Sequence, residues 1–157
     1  MRSGRSAEAL LDEFLELWAR LNSESRLPGT AVVVEGERDR RSLRRLGLAG
    51  TIVLVHRGDS LAGVAHRLAQ RSRRVITLTD WDREGGRLAH RLKEFLESES
   101  LSFDLDYRRR LARILRGELV HVEGLYGWAR RLAEGRGAPL EHFLPDATEE
   151  DDDRPTE

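Results

Sequence analysis

RVITLTDWDREGGRLAH, residues 74–90, is the centre from which the rest of the chain can be read. Its first half, Val75–Thr79, is an apolar run of strand length. Beyond it Leu88, Leu92, Phe95 and Leu96 recur at helical spacing, which predicts a helix from about Arg83 to Glu97. Between the two stand Asp80-Trp81-Asp82, then Glu84 and the pair Gly85-Gly86. In extended chain, residues two apart point to the same side, so Asp80 and Asp82 project together from the carboxyl end of a strand. Ligands of open α/β sheets sit at that edge. Two carboxylates held close repel unless a proton or a metal ion relieves them.

Working outward, Thr30–Glu35 (TAVVVE) is apolar on both faces, as a strand covered on both sides should be. Gly36 follows, then a polar helix over about Arg38–Leu46 with Leu43 and Leu46 inward, ended by Gly47 and Gly50. Thr51–Val55 reads as a second strand, Ser60 as an N-cap, and Leu61–Gln70 as the next helix. Residues 6–22 predict an amphipathic helix capped by Ser6 and packed on the domain. After a break at Ser98-Glu99-Ser100, Tyr107–Leu115 reads as a helix, Glu118–Val122 as a fourth strand and Glu123–Ala133 as a last helix. The alternation predicts an α/β fold: a doubly wound, mostly parallel sheet of about four strands with helices on both faces. The expected organisation is an N-terminal helix and connector over 1–29, one domain over 30–145, and a disordered acidic tail over 146–157.

The 157 residues contain no cysteine, which excludes disulfides and thiolate metal sites and fits a cytoplasmic protein. No apolar run approaches the ~20 residues that cross a bilayer, so no membrane partner is expected. The net charge of -1 hides an asymmetry. The tail holds seven acids and one arginine, a net of -6, while residues 1–145 carry twenty-six basic residues against twenty-one acids, a net of +5. Lys93 is the sole lysine. Arginine-rich codon usage explains that ratio, and an arginine-rich body also suits RNA or DNA as a partner.

The first strand ends in Glu35-Gly36, with Asp39 four residues after the glutamate. If the first and third strands are neighbours, Glu35 and Asp80 lie about one strand spacing apart. Carboxylates clustered at one sheet edge suit hard cations such as Mg²⁺ or Mn²⁺. Glycines beside them, Gly36 and Gly85, let a phosphate approach the backbone. The plainer alternative is capping: Asp82 as N-cap of the helix from Arg83, and Asp39 as a solvated helix residue.

These residues resemble the Toprim domain, with a glutamate and glycine after the first strand and Asp-x-Asp after the third. Here those are Glu35-Gly36 and Asp80-Trp81-Asp82, with Gly85 matching the glycine that often follows. The resemblance covers roughly 30–125. It points in particular to the small stand-alone Toprim proteins of archaea and some bacteria, related to the Toprim domains of primases, topoisomerases, OLD-type nucleases and ribosomal-RNA-maturing nucleases. It implies that Asp80 and Asp82 hold Mg²⁺ or Mn²⁺ against a phosphodiester. Glu35 would then be a general acid/base or a further ligand, and Asp39 would match the second acid of nuclease-type members. The implied activity is metal-dependent nuclease or phosphotransferase chemistry on RNA or DNA. The alternative is a non-catalytic phosphate-binding module among other nucleic-acid-processing proteins.

Around this site Arg57, Arg83 and Arg87 are the expected phosphate contacts. Trp81 stacks on a base or packs on the next helix. His56 is expected to be a solvated loop residue, His121 a strand residue, Tyr107 a core residue, and Arg108, Arg109, Arg110, Arg113 and Arg116 a solvated face.

Overall fold

TAVVV becomes the middle of a sheet because it can be buried on both sides. In the computed structural model, which describes residues 6–56, 58–115 and 117–149, every residue of β1 (Thr30–Val34) is buried. It pairs in parallel with β2 (Thr51–Leu54) on one side and β3 (Arg74–Thr77) on the other, and β3 pairs in parallel with β4 (Ser102–Asp104). The order is β2-β1-β3-β4. Side chains alternate along each strand. Ala31 and Val33 face a core built with α3 (Leu61–Arg71) and α4 (Arg83–Ser98). Val32 and Val34 face the opposite core, built with α1 (Ala7–Ser25), α2 (Glu37–Arg45), α5 (Asp106–Leu115) and α6 (Leu125–Gly135). The doubly wound α/β arrangement expected from the sequence is therefore the one found.

The helix starts follow the predicted caps. Ser6 Oγ accepts from Ala9 N–H at 3.2 Å, and Ser60 Oγ accepts from Gly63 N–H at 3.0 Å. Gly47 ends α2 at φ 91°, a left-handed conformation that any Cβ would strain. α1 belongs to the main core. Phe14 stacks on Trp18 at 5.9 Å and meets Trp128 edge-on at 5.3 Å, while Trp18 Nε1 donates to the Leu46 carbonyl at 3.0 Å. Tyr107 is buried, as expected.

One strand is elsewhere than predicted. Residues 118–121 do not pair into the sheet; they cross its carboxyl edge and lead into a 3-10 turn, Val122–Gly124. Among their hydrogen bonds are two to the loop after β3. Trp81 N–H donates to the Val120 carbonyl at 3.0 Å, and Trp81 Nε1 to the Leu119 carbonyl at 2.5 Å. The fourth strand is instead Ser102–Asp104, three residues held by register, with Phe103 opposite Val75.

A short helix, α7 (Leu140–Phe143), follows α6. The described start of the tail then lies on the body: Ala147 is buried, and Thr148 N–H donates to the Arg45 carbonyl at 2.8 Å. Residues 150–157 lie outside the described residues. No helix among the described residues is long and apolar enough to cross a membrane.

Candidate metal centre

The site is built where β1 and β3 end side by side. Val33 lies opposite Thr77, and Leu78 N–H donates to the Val33 carbonyl at 2.8 Å. Two residues further on, Asp80 N–H donates to Glu35 Oε2 at 2.7 Å. That bond brings the glutamate of one strand end against the Asp-x-Asp of the other. Glu35 Oε1 stands 3.6 Å from Nε2 of the exposed His56. The Glu35 carboxyl is held above its ordinary range, chiefly by burial, with the charges of Asp80 and Asp82 adding and the Asp80 N–H opposing.

Asp80 is fixed from three directions. Its Oδ1 accepts from Val122 N–H at 2.8 Å, and its Oδ2 lies 3.1 Å from His121 Nδ1. Arg108 reaches over from α5: Nη2 donates to the Asp80 carbonyl at 2.7 Å and Nε to the Thr79 carbonyl at 3.1 Å. Burial lowers the Arg108 pKa, and the neighbouring charges of Asp82, Glu35 and Asp80 favour its charged form. Arg108, expected on a solvated face, is thus a brace for the carboxylate loop.

Asp82 does two things. Its Oδ1 caps α4 by accepting from Gly85 N–H at 2.7 Å. Its Oδ2 lies 3.6 Å from His121 Nδ1. Capping and ligation are therefore not exclusive readings of this residue. Asp39 Oδ2 accepts from Gly36 N–H at 3.0 Å, inside the first turn of α2. Its carboxyl is pushed up to about 6, by burial first and then by the charges of Asp80, Glu35 and Glu123, with the Gly36 N–H opposing.

The two glycines differ. A Cβ on Gly85 would sit 1.8 Å from the Asp80 carbonyl oxygen, so the missing side chain is what lets α4 start against the Asp80 loop. Gly36 faces open space. Arg83 and Arg87 are exposed on the first turns of α4, beside Asp82. Arg57 and Arg116 lie outside the described residues. Trp81 packs against the core on the α1, α2, α5 and α6 side, with its indole N–H bound to Leu119, and not on α4, the next helix, as the packing alternative expected.

The sequence reading missed His121. Asp80, Asp82 and His121 each offer one donor atom, all within 4.8 Å of one another. Two carboxylate oxygens and an imidazole nitrogen fit a divalent cation: the oxygens suit Mg²⁺ and Mn²⁺, and the nitrogen tilts the set toward a transition metal. Glu35 and Asp39 do not complete such a group. The imidazole pKa is raised, first by its hydrogen bond to Asp80. No local sequence signal marked His121, because its position depends on the irregular path of residues 118–121.

Comparison with known proteins agrees with this geometry. The Toprim domain family model matches residues 30–114. The chain is 35% identical over 131 residues to a UPF0292 protein of Methanosarcina acetivorans, covering 83% of this chain and 90% of that one. It is 38% identical over 130 residues to a UPF0292 protein of Thermococcus gammatolerans, covering 83% and 93%. Among solved structures, a putative protein from Aquifex aeolicus superposes with a TM-score of 0.58 at 26% identity, over 69% of this chain and 94% of that chain. The acids on strands one and three, their neighbouring strand ends and the matched residues together give one conclusion: this chain belongs to the Toprim family.

Proposed function

We propose that the chain is a metal-dependent nuclease or related phosphotransferase acting on RNA or DNA. Toprim membership points at family level to metal-dependent nucleic-acid chemistry, and the acidic group is suited to a divalent ion. The observation that carries the reading is the 2.7 Å bond from Asp80 N–H to Glu35, which gathers Glu35, Asp80 and Asp82 at one sheet edge.

In this reading Asp80 and Asp82 hold Mg²⁺ or Mn²⁺, with His121 as a third donor. The ion, when bound, stabilises negative charge on the phosphoryl oxygens. Glu35 is the acid/base. One of its oxygens is tied to the Asp80 N–H, and its carboxyl, raised chiefly by burial, exchanges a proton closer to neutral pH than a free glutamate does. Arg83 and Arg87 contact backbone phosphate at the rim, and Gly36 leaves room for the phosphate itself. Arg108 keeps the Asp80 carbonyl, and with it the loop, in place.

The test is cleavage of labelled RNA and DNA with Mg²⁺ or Mn²⁺, in the full chain and in Asp80→Ala. Loss of cleavage in the variant supports the reading; equal activity removes it. Manganese titration of His121→Ala adds the third donor: a ligand lost should weaken Mn²⁺ binding about tenfold or more. Metal-dependent binding of nucleic acid without turnover would favour the non-catalytic binding module instead.

A further inference from the structure

α2 carries arginines at 38, 40, 41, 44 and 45, and they divide by face. Arg40 and Arg44 turn inward and are buried. Arg40 pairs with Glu37, and Arg44 Nη1 donates to the Leu48 and Gly50 carbonyls at 2.7 and 2.8 Å, which ties down the end of the helix. Arg38, Arg41 and Arg45 follow the spacing i, i+3, i+7 of a single helix face. They line a groove of about 620 Å³, whose other wall is α6 with Arg130 and Arg131. Arg45 stands 5.7 Å over the Tyr126 ring, which holds its guanidinium at the groove wall.

The lining therefore has five arginines and one acid, Glu123; of the arginines, Arg130 is also paired with Glu134 and Glu149 at 3.0 and 3.4 Å. The groove between α1 and α5 is different: there Arg20, Arg110 and Arg113 are mixed with Glu13 and Glu16. Like charges brought together on a concave wall focus a positive field and call for anions. Glu123 also marks where the groove leads. It lies in the Val122–Gly124 turn, two residues after His121, where the Val122 N–H holds Asp80 Oδ1 at 2.8 Å, so this end of the groove adjoins the carboxylate cluster. Leu119, another lining residue, is the one whose carbonyl holds the Trp81 indole.

We propose that this arginine-lined groove between α2 and α6 binds the phosphodiester backbone of a nucleic acid and leads it to Glu35, Asp80 and Asp82. The proposal rests on the functional reading above and adds the grip that the carboxylates themselves lack. Guanidinium groups match phosphate in shape and charge. From Arg38 to Arg45 the helix rises roughly 10 Å at 1.5 Å per residue. At about 3.4 Å of rise per nucleotide along one strand, that spans about three phosphates.

Fluorescence anisotropy with labelled single-stranded and duplex oligonucleotides, in EDTA, reads the groove apart from the metal. The double variant Arg38→Ala, Arg41→Ala changes two exposed side chains and should keep the circular dichroism of the full chain. Its binding should weaken about tenfold at about 50 mM salt, and the slope of log K against log salt should flatten by ~1.4 to ~1.8, as for two lost phosphate contacts. Arg110→Ala with Arg113→Ala, on the mixed-sign surface, should bind like the full chain. Unchanged affinity and slope in the groove variant overturn the proposal, and so does a full chain that binds no oligonucleotide. Cleavage with Mn²⁺ is scored separately. A full chain that binds through Arg38 and Arg41 yet never cleaves leaves the groove standing and removes the nuclease reading. Cleavage that depends on Asp80, with the groove variant binding normally, does the opposite.

Discussion

The backbone N–H of Asp80 donates to Oε2 of Glu35 at 2.7 Å, so one residue of the carboxylate cluster holds the other in place. Charge and shape at Glu35 can therefore be separated by substitution. Glu35→Gln keeps an oxygen for the Asp80 N–H and removes the charge. It should be at least as stable as the parent near neutral pH, since it removes a charge that burial and the neighbouring aspartates disfavour, and lose about 100-fold or more in cleavage, the usual contribution of an acid/base group. Glu35→Ala also strands a partly buried N–H, which adds a stability loss of about 1–3 kcal/mol. Thermal melts beside Mn²⁺-dependent cleavage distinguish the two. Full turnover in Glu35→Gln would remove Glu35 from the chemistry and leave it a structural acceptor.

Gly85 and Gly36 make opposite predictions from the same substitution. Gly85→Ala drives a Cβ into the Asp80 carbonyl, so the start of α4 or the carboxylate loop must move. The expected cost is about 1–3 kcal/mol, as for other overpacked sites, together with weaker Mn²⁺ binding. Gly36→Ala meets nothing within 4 Å and sits at φ -150°, ordinary extended backbone. Its stability should stay within about 1 kcal/mol of the parent. Urea unfolding and manganese titration on both variants check this. If cleavage falls in Gly36→Ala with stability intact, the open space over Gly36 is used by substrate.

The central sheet was legible because TAVVV and VITLT have the apolar runs of buried strands. That Glu35 meets Asp80 depended on β1 and β3 being neighbours, which the sheet order shows. His121 was not legible for the same reason that the fourth strand was misplaced. Glu118–Val122 has the apolar, β-branched content of a strand, with Leu119 and Val122 now packed on the core. Its long-range backbone partners, though, are Trp81 and the Asp80 carboxylate, contacts between residues about 40 positions apart. Ser102-Phe103-Asp104 gives almost no strand signal and exists through pairing with β3. Arg108 stands in a run of three arginines, and only the packing of α5 against the end of β3 singles it out.

Asp39 gives the protein a pH dependence whose sign is fixed. Its carboxyl is pushed up to about 6 from 3.8, so the folded chain holds that proton more tightly than the unfolded chain does. Where the folded state binds more protons, stability falls as pH rises. The loss runs from about pH 4 to about pH 6 and is complete above that, with a ceiling of about 3 kcal/mol. Asp39→Asn keeps an oxygen for the Gly36 N–H and removes the titration. In EDTA it should match the parent near pH 4 and exceed it by about 1–3 kcal/mol at pH 7.5, by chemical denaturation. A difference that does not change with pH would mean that the buried carboxylate is not strained.

The tail supplies the last prediction, and the structure says where to cut. Ala147 is buried, Thr148 N–H is bound to the Arg45 carbonyl, and Glu149 Oε1 lies 3.4 Å from Arg130 Nη2. A deletion from residue 146 would therefore damage packing as well as charge. Removing residues 150–157 takes away five acids and one arginine and leaves those contacts alone. The lost acids follow directly on a residue already paired with a groove arginine. They are placed in sequence to compete with phosphate for the positive body. Nucleic-acid binding by the shortened chain should tighten several-fold at about 50 mM salt, and the gain should fade as salt shortens the Debye length below ~8 Å. Anisotropy titrations at low and high salt measure both. Equal affinity at low salt would make the tail a solubilising appendage with no hold on the groove.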